Sequence, residues 1–269
     1  MNKVLLFTPM FNCEKQITRV LDQMTDDIAE QISEWIIINN RSTDDGESVV
    51  IDYLKNKNLP LRVSLLRNNE NYGLGGSHKV AFDYAKKNSF DYVIVFHGDD
   101  QGNIADLLPY LKSNEYVNFD CFLGARFMKG STLEGYSLFR TFGNKVYDCL
   151  FSVVCGYPIY DLGSGLNVYK TSILENNFYF KYKDNLVFNY CMILGSSYYK
   201  HRTCFFPITW RETDQVSNVR MVSQAITVLK LLASYFFNKH KFVHKELRDF
   251  IVKNYSAVLV YKNWGSNVE

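Results

Sequence analysis

The sequence predicts an α/β fold in which a Rossmann-like, mostly parallel sheet carries helices on both faces. Short apolar runs alternate with segments of helical periodicity through the first half of the chain, which is the pattern of strand–helix–strand units. The apolar runs show little polar alternation, as expected for strands that are buried on both faces. Each run ends in polar or turn-forming residues, which predicts a ligand site at the carboxyl ends of the strands.

The elements of the first half follow from these patterns. Apolar and mostly β-branched residues form four runs that we interpret as strands, at residues 4–7, 35–38, 61–66 and 92–96. Apolar residues recur at helical spacing in the segments between them. We interpret these segments as helices, at residues 14–32, 44–55 and 75–87. The four strand ends should therefore open onto one polar rim.

The second half departs from this alternation. Three further runs are predicted strands, at residues 119–127, 166–169 and 204–210. A long apolar-rich helix is predicted over residues 136–155, and the chain is predicted to be helical from residue 221. No internal repeat or low-complexity linker separates these parts. We predict one main domain over residues 1–217 and a C-terminal helical extension over residues 218–269.

The composition is that of a globular protein with a substantial core. Of 269 residues, 47% are hydrophobic, and the formal net charge of +2 neither indicates nor excludes nucleic acid or membrane. We predict no nucleic-acid partner. The six cysteines form no CxxC pair and no metal-ligand spacing, which favours reduced thiols and a cytoplasmic location. No apolar run reaches the roughly 18 residues that a membrane span needs, and the N-terminus shows no signal-peptide cleavage site.

The fourth predicted strand runs directly into His97, Gly98, Asp99, Asp100 and Gln101. Two adjacent carboxylates repel each other, and burial without a partner makes each charge more costly. One interpretation is a solvated turn that caps the following helix. The other is a divalent-cation site, because Mg²⁺ and Mn²⁺ bind one or two carboxylates together with substrate phosphates and water. Such a cation would also stabilise a departing nucleoside diphosphate.

Three glycines, Gly73, Gly75 and Gly76, lie at the start of the third predicted helix. Glycines at a helix start can let backbone amides approach a phosphate. A tight turn with close helix packing explains them almost as well. The spacing differs from the GxGxxG fingerprint because residue 78 is His, so a nicotinamide-binding site is disfavoured.

Four segments match, in order and spacing, the motifs of family 2 glycosyltransferases, and the chain resembles that family over about residues 4–217. The family motifs are P-x-Y/F-N, V-D-D-G-S-T-D, N-x-G-x-G-G and D-x-D. The matching segments are residues 8–12, 38–44, 71–76 and 97–101. The resemblance implies the GT-A fold, inversion at the anomeric carbon, a nucleotide-sugar donor carrying UDP or GDP, and Mg²⁺ or Mn²⁺ as cofactor.

For the donor, the resemblance places Pro9 and Phe11 beside the nucleobase and Asn40 where the family reads that base. The other donor contacts that it implies are Asn12, Ser42, Gly73, Gly75, Gly76, Lys79, His97 and Asp99. The cation ligands that it implies are His97, Asp99, Asp100 and Gln101. Two departures leave points open. Asn39 and Asn40 replace an acidic pair, and Asp100 is acidic where the family usually is not, so either carboxylate could lead.

Three later segments resemble the polyprenyl-phosphate branch of the family, which includes dolichol-phosphate mannose synthase. They lie at residues 124–127, 161–166 and 211–217. The acceptor contacts that the resemblance implies are Arg126, Arg140, Asn144, Ser164 and Gly165. The catalytic residues that it implies are Asp99, Arg126, Asp161 and Arg211. Each arginine could instead cap a helix or extend along the surface, and Asp161 could act as a base or cap the following turn.

The resemblance implies transfer to a polyprenyl phosphate or to a growing bacterial surface glycan, within cell-envelope polysaccharide synthesis. In the extension, apolar residues at helical spacing precede a basic segment at residues 239–248. This pattern suits a helix on the inner face of the membrane. The commoner explanation of such a pattern is a helix that packs on the domain or on a second copy of the chain.

Two other functions remain open. A non-catalytic nucleotide-sugar or glycan-binding protein is consistent with the altered Asn39, Asn40 and His97. A sugar nucleotidyltransferase would carry a G-x-G-T-R segment followed by P-K near its start, and residues 1–30 have neither.

Overall fold

The computed structural model of the chain describes residues 2–212 and 221–265, with side chains from residue 225 onward in the second range. The strands within these ranges are β1 (Val4–Met10), β2 (Glu34–Asn39), β3 (Val63–Asn68), β4 (Tyr92–Phe96), β5 (Cys121–Ala125), β6 (Thr132–Glu134), β7 (Leu166–Lys170), β8 (Thr203–Pro207), β9 (Thr209–Arg211) and β10 (Ala257–Lys262). The α-helices are α1 (Glu14–Asp22), α2 (Asp26–Ala29), α3 (Gly46–Asn56), α4 (Gly73–Lys87), α5 (Leu108–Ser113), α6 (Leu138–Cys155), α7 (Phe188–Tyr198), α8 (Met221–Phe237) and α9 (Lys239–His244).

Eight of these strands form one sheet in the order β10-β3-β2-β1-β4-β7-β5-β8. Strand β1 pairs in parallel with both β2 and β4, and β2 pairs in parallel with β3. Strand β7 is antiparallel to both of its neighbours, while β5 and β8 are parallel. The predicted mostly parallel sheet with helices on both faces is therefore confirmed. Its strand order reverses direction between β1 and β4, which is where open α/β sheets bind ligands.

The apolar strands supply two cores, one on each face of the sheet. Successive side chains of a strand point to opposite faces, so Leu5 and Phe7 pack with α4 and α7. Val4 and Leu6 lie in the other core, beneath α1 and α3. All four side chains are essentially inaccessible to solvent. Burial on both faces explains why the sequence of β1 shows no polar alternation.

The predicted helix at residues 14–32 is two helices, α1 and α2. The first helix ends at Asp22, and the Gln23 side chain then reaches the loop after β4. Its amide nitrogen donates to Asp100 Oδ1 at 3.0 Å and to the Gly102 carbonyl at 3.3 Å, and its amide oxygen accepts from Ile104 N at 3.1 Å. The end of α1 is thus tied to the loop that carries the paired aspartates.

The predicted strand at residues 204–210 is also two elements, β8 and β9. The break falls at Ile208, whose N–H donates to the Ala125 carbonyl and whose carbonyl accepts from Thr132 N. Strand β8 continues the main sheet beside β5, whereas β9 pairs with β6 in a separate two-stranded sheet. One residue therefore redirects the chain between the two sheets.

The C-terminal segment is not helical throughout. After α8 and α9, strand β10 joins the main sheet antiparallel to β3, and the sequence analysis did not predict this strand. The Asn263 side chain fixes its end by accepting from Val63 N at 2.8 Å and donating to the Leu61 carbonyl at 3.1 Å. We propose that residues 218–269 are an extension packed on the domain of residues 1–217. Within the described ranges, no helix has the length and hydropathy needed to cross a bilayer.

Candidate active site

A cavity of about 340 Å³ lies at the carboxyl ends of β1, β2 and β4, beside the N-terminus of α4. Six residues of the predicted donor site line it, namely Pro9, Phe11, Asn40, Gly73, His97 and Asp99. Eight other residues also line the cavity, although the sequence did not predict them there. They are Met10, Cys13, Asn71, Leu74, Ser77, Gly98, Asn185 and Leu186. The structure therefore brings the first four motifs to one place.

The loops around this cavity are joined by their own polar side chains. Asn12 adopts a left-handed backbone conformation with φ of 50°. Its N–H donates to Ser42 Oγ at 3.1 Å, and its Oδ1 accepts from Thr43 N at 2.8 Å. Asn12 and Ser42 thus connect the loop after β1 to the loop after β2 and do not line the cavity. Phe11, the residue before Asn12, is 48% exposed and lines the cavity.

Asn40 is buried and its amide is fixed by three hydrogen bonds. Its Oδ1 accepts from Asn68 Nδ2 and from Tyr72 N, both at 2.9 Å, and its Nδ2 donates to Asn71 Oδ1 at 2.8 Å. A carboxylate at position 40 could accept the first two bonds but could not donate the third. The network therefore explains why an amide stands where the family motif has an acid.

His97 is packed tightly against the segment before β7. The backbone N–H of His97 donates to the Gly165 carbonyl at 3.0 Å. A Cβ atom at Gly165 would lie only 2.8 Å from Cγ of the His97 side chain. Ser164 is 2% exposed, and its hydroxyl contacts the Leu166 carbonyl and Asn167 Oδ1. Gly165 thus positions His97, and the Ser164 hydroxyl is bound within the segment before β7. Both residues were predicted to bind the acceptor, and we leave them out of the proposed acceptor site.

The two adjacent aspartates have different environments. The Asp100 carboxylate receives Arg19 Nε at 2.5 Å and Gln23 Nε2 at 3.0 Å, so helix α1 already neutralises it. Asp99 lines the cavity and accepts a bond of 3.3 Å from Gln101 N. Burial, with a smaller contribution from the charge of Asp100, raises the pKa of Asp99 from 3.8 to about 6. Asp99, and not Asp100, therefore lines the cavity.

The side chains of His97 and Asp99 could supply two ligands to a divalent cation, provided that a substrate supplied the others. The Nε2 atom of His97 is buried with no hydrogen-bond partner among the described residues. Burial lowers the pKa of His97 to about 4, so the ring is neutral at pH 7 and can ligate a metal. The described residues contain no cluster of three or more His, Cys, Asp or Glu side chains that could hold a cation. A cation here would need diphosphate oxygens to complete its coordination.

The glycines of α4 serve close packing. Gly75 N donates to the Asp184 carbonyl at 2.7 Å, and Gly76 N lies 3.4 Å from the same oxygen. A Cβ at Gly75 would lie 2.5 Å from the Lys183 carbonyl oxygen. These amides are therefore not free for a phosphate, and we leave Gly75 and Gly76 out of the proposed donor site. Gly73, with φ of 71°, still lines the cavity.

Lys79 is likewise directed away from the cavity. Its ammonium donates to the Tyr182 carbonyl and to Asp184 Oδ1, both at 2.7 Å, and lies 3.3 Å from Tyr255 Oη. Its side chain is fully buried. Lys79 thus ties α4 to the loop that carries Asn185 and to the C-terminal extension, and we leave it out of the proposed donor site.

Arg126 and Asp161 form a buried bidentate ion pair. Arg126 Nε and Nη2 donate to the two carboxylate oxygens at 2.7 and 2.8 Å, and the backbone N–H groups of Arg126 and Gly163 each donate to Asp161 at 2.9 Å. The Asp161 side chain is 1% exposed. Its bonds to Arg126 and to the following turn occupy both oxygens, so the structure does not support Asp161 as a base.

A family model confirms the resemblance to family 2 glycosyltransferases that the four motifs indicated. The model described as Glycosyl transferase family 2 matches residues 6–178, which is more than half of the chain. The chain belongs to this family. The match does not address the polyprenyl-phosphate branch, which stays a prediction.

Solved structures share the GT-A fold of this family 2 chain. S. aureus TarS 1–349 superposes with a TM-score of 0.56 at 19% identity, over 88% of this chain and 66% of that chain. Glucosyl-3-phosphoglycerate synthase from Mycobacterium tuberculosis in complex with UDP gives a TM-score of 0.60 at 14% identity, over 88% of this chain and 80% of that chain. The same synthase in complex with Mn²⁺, UDP-glucose and glycerol 3-phosphate superposes with a TM-score of 0.56 at 13% identity, over 88% of this chain and 80% of that chain.

The remaining predicted residues of this family 2 chain lie outside the cavity lining. Arg140 Nη1 contacts Glu212 Oε2 at 2.5 Å, and Asn144 donates to Tyr136 Oη at 2.8 Å. The backbone N–H of Arg211 donates to the Gln101 carbonyl at 2.8 Å, which joins β9 to the loop of Asp99. Residues 213–217 of the predicted Arg211 element lie outside the described residues. The acceptor contacts of Arg126, Arg140, Asn144 and Arg211 therefore stay proposals.

Asp148 on α6 is expected to make the stability of the protein depend on pH. Its side chain is buried, with 6% exposure, and its Oδ2 atom has no hydrogen-bond partner in the described part of the chain. Burial raises its pKa to about 8, the charge of Asp161 adds to this shift, and Arg126 and Lys145 oppose it. The native state then keeps a proton that the unfolded chain releases near its pKa of 3.8. The free energy of unfolding should therefore fall as pH rises between these values, by up to about 1.4 kcal/mol per pH unit.

Urea unfolding across this pH range checks the prediction. In Asp148→Asn the fall should be smaller, because the amide does not titrate. The same pH dependence in the variant as in the parent chain would contradict the assignment to Asp148.

Proposed function

We propose that the protein is an inverting glycosyltransferase that moves a sugar from a UDP- or GDP-sugar, with Mg²⁺ or Mn²⁺, to a phosphate or glycan acceptor. The observation that carries this proposal is the meeting of Asp99 and the unpartnered His97 Nε2 with Phe11 and Asn40 in one cavity. We place the reaction in cell-envelope polysaccharide synthesis on the cytoplasmic side, the setting that the sequence resemblance implies.

The cavity offers separate groups for the base and the diphosphate of such a donor. Phe11 and Leu186 present half-exposed apolar side chains at its mouth, where a nucleobase can pack on them. Asn40 and Asn71 form a fixed amide pair in its wall, which can give directional hydrogen bonds to that base. His97 and Asp99 lie at the carboxyl end of β4, where the diphosphate would be held.

In the proposed reaction, His97 and Asp99 would hold the cation together with the diphosphate. When bound there, a divalent cation supplies positive charge that stabilises the leaving nucleoside diphosphate. Helix α1 keeps Asp100 paired and leaves Asp99 directed at the cavity. The Gly165 carbonyl fixes the backbone of His97. These contacts hold both ligands in place before the donor arrives, which lowers the cost of organising the site.

The environment of the carboxylates supports an acceptor that is already an anion. A sugar hydroxyl needs a general base within hydrogen-bond reach. Among the described residues that line the cavity, Asp99 is the only carboxylate, and Asp161 is committed to Arg126. A polyprenyl phosphate needs no base, since its nucleophilic oxygen is already charged. We therefore favour a lipid phosphate over a glycan hydroxyl.

A thermal-shift screen with UDP-, GDP-, CDP- and dTDP-sugars, with and without Mn²⁺, tests the function. A ligand present at 100 times its dissociation constant stabilises the native state by about 2.7 kcal/mol, which raises Tm by several degrees. We expect this shift for a UDP- or GDP-sugar and only with Mn²⁺, accompanied by slow hydrolysis of the same donor. Failure of every nucleotide sugar to raise Tm would contradict the proposal.

The second candidate is a non-catalytic protein that binds a nucleotide sugar. It is favoured because the chain has Asn39, Asn40 and His97 at positions where the family motifs have acidic residues. The same screen separates the two. Binding that is independent of metal, with no hydrolysis of any donor, would establish the binder instead of the enzyme.

A further inference from the structure

Helix α6 exposes an apolar stripe along its whole length. Residues three or four positions apart lie on one face of a helix, and this face carries Leu138, Phe139, Phe142, Val146, Leu150 and Val153. Phe142 is 69% exposed and Val153 is 76% exposed. Soluble proteins rarely leave contiguous apolar surface of this kind without a partner.

Helix α8 extends this apolar surface. It packs against α6, and it leaves Ile226, Leu229, Phe236 and Phe237 exposed, the last at 82%. Lys239, at the start of α9, donates to the Val154 carbonyl at 3.1 Å and joins the two helices near their carboxyl ends. We call these exposed residues of the two helices the α6–α8 face.

The charged residues of α6 and of residues 225–245 are mostly basic, although Arg140 is paired with Glu212 and Glu246 follows the second range directly. Residues 138–155 and 225–245 contain the basic residues Arg140, Lys145, Lys230, Lys239, Lys241 and Lys245. The same ranges contain one acidic residue, Asp148, which is buried. The whole chain has 28 acidic residues and a net charge of only +2, so these ranges differ from the rest of the chain mainly in their lack of acidic residues. An apolar surface with a basic margin matches an anionic bilayer in both hydropathy and charge.

We propose that the α6–α8 face lies on an anionic membrane surface, with its apolar side chains at the boundary of head groups and acyl chains. A second copy of the chain fits less well, because a two-fold contact would bring the same basic residues together without exposed acidic partners in these ranges. The inference does not rest on the proposed function, since membrane binding is measured without donor or acceptor.

Vesicle flotation of the full chain tests the proposal. We expect the protein to float with vesicles of equal parts phosphatidylcholine and phosphatidylglycerol, and not with phosphatidylcholine alone. Phe142→Glu combined with Val153→Glu should abolish flotation, because both changes place charges at the membrane. Lys230→Glu combined with Lys241→Glu should weaken it by about tenfold or more, since each basic residue near an anionic surface contributes about 1 kcal/mol.

Val258→Glu is the matched control, because Val258 is a 47% exposed apolar residue on β10, outside the two helices. It should float like the parent chain. Circular dichroism and thermal unfolding confirm that each variant is folded. Equal flotation of all variants, or no flotation with anionic vesicles, would overturn the proposal. A dimer in light scattering that Phe142→Glu disrupts, without vesicle binding, would assign the face to a second copy and would also overturn it.

Discussion

Asp99→Asn is expected to lower kcat/KM for sugar transfer by about 10²–10³-fold, the usual cost of losing one group that stabilises charge in a transition state. The amide keeps the size of the side chain and can still accept from Gln101 N, so the fold should be unchanged. It removes the negative charge that the proposed cation needs beside His97. Steady-state kinetics with the donor identified by the thermal-shift screen, over a range of Mn²⁺ concentrations, measures this loss.

Asp100→Asn is the matched control, because the two carboxylates are adjacent in the chain and have different partners. Asp100 contacts Arg19 and Gln23 on the side of α1, so its substitution should change the Mn²⁺ dependence little. If Asp100→Asn abolished transfer while Asp99→Asn kept it, Asp100 would be the cation ligand. If neither changed transfer, the strand-end site would not be catalytic.

Asp161→Asn is expected to reduce the free energy of unfolding by about 3–5 kcal/mol, since it leaves the buried guanidinium of Arg126 without its charge partner. The Arg126 side chain is 12% exposed and that of Asp161 is 1% exposed, so solvent cannot replace the lost interaction. Arg126→Met combined with Asp161→Asn should recover part of the loss, because no unpaired charge then remains. Urea unfolding of the three variants and the parent chain measures the coupling.

The exposed pair of Lys87 and Asp83 on α4 is the control, with side chains that are 73% and 40% exposed. Asp83→Asn should cost no more than about 0.5 kcal/mol. The kinetics of Asp161→Asn distinguish a structural role of Asp161 from a catalytic one. Loss of turnover with an unchanged free energy of unfolding would restore Asp161 as a candidate base and contradict its structural role.

Sequence reasoning located the strand ends well because their signals are local. The apolar run of β4 and the polar residues after it stand next to each other in the chain, and parallel strands bring such ends to one edge. His97 and Asp99 therefore reached the cavity as expected, as did Pro9, Phe11 and Asn40. Asn71 and Ser77 lie inside or beside the same motifs and could have been included.

Other predicted donor residues are held outside the cavity by partners that lie far away in the chain. Gly75 and Gly76 resembled a phosphate loop, but the Asp184 carbonyl accepts from their amides. Lys79 resembled a donor ligand, but its ammonium is held by a carboxylate 105 residues away. Asn185 and Leu186 come from this distant loop and carried no motif, so nothing in their sequence marked them as cavity residues.

The sequence by itself determined the family, the buried parallel strands and the position of the motif that ends β4, because periodicity and motif spacing are properties of neighbouring residues. The tertiary structure decided which of the two aspartates faces the cavity, why Asp161 is paired, and where β10 joins the sheet. Each of these depends on a group that folding brings from elsewhere, as Arg19 is brought to Asp100 across 81 residues. Burial then fixes the outcome, because a charge removed from water must find a partner or remain neutral.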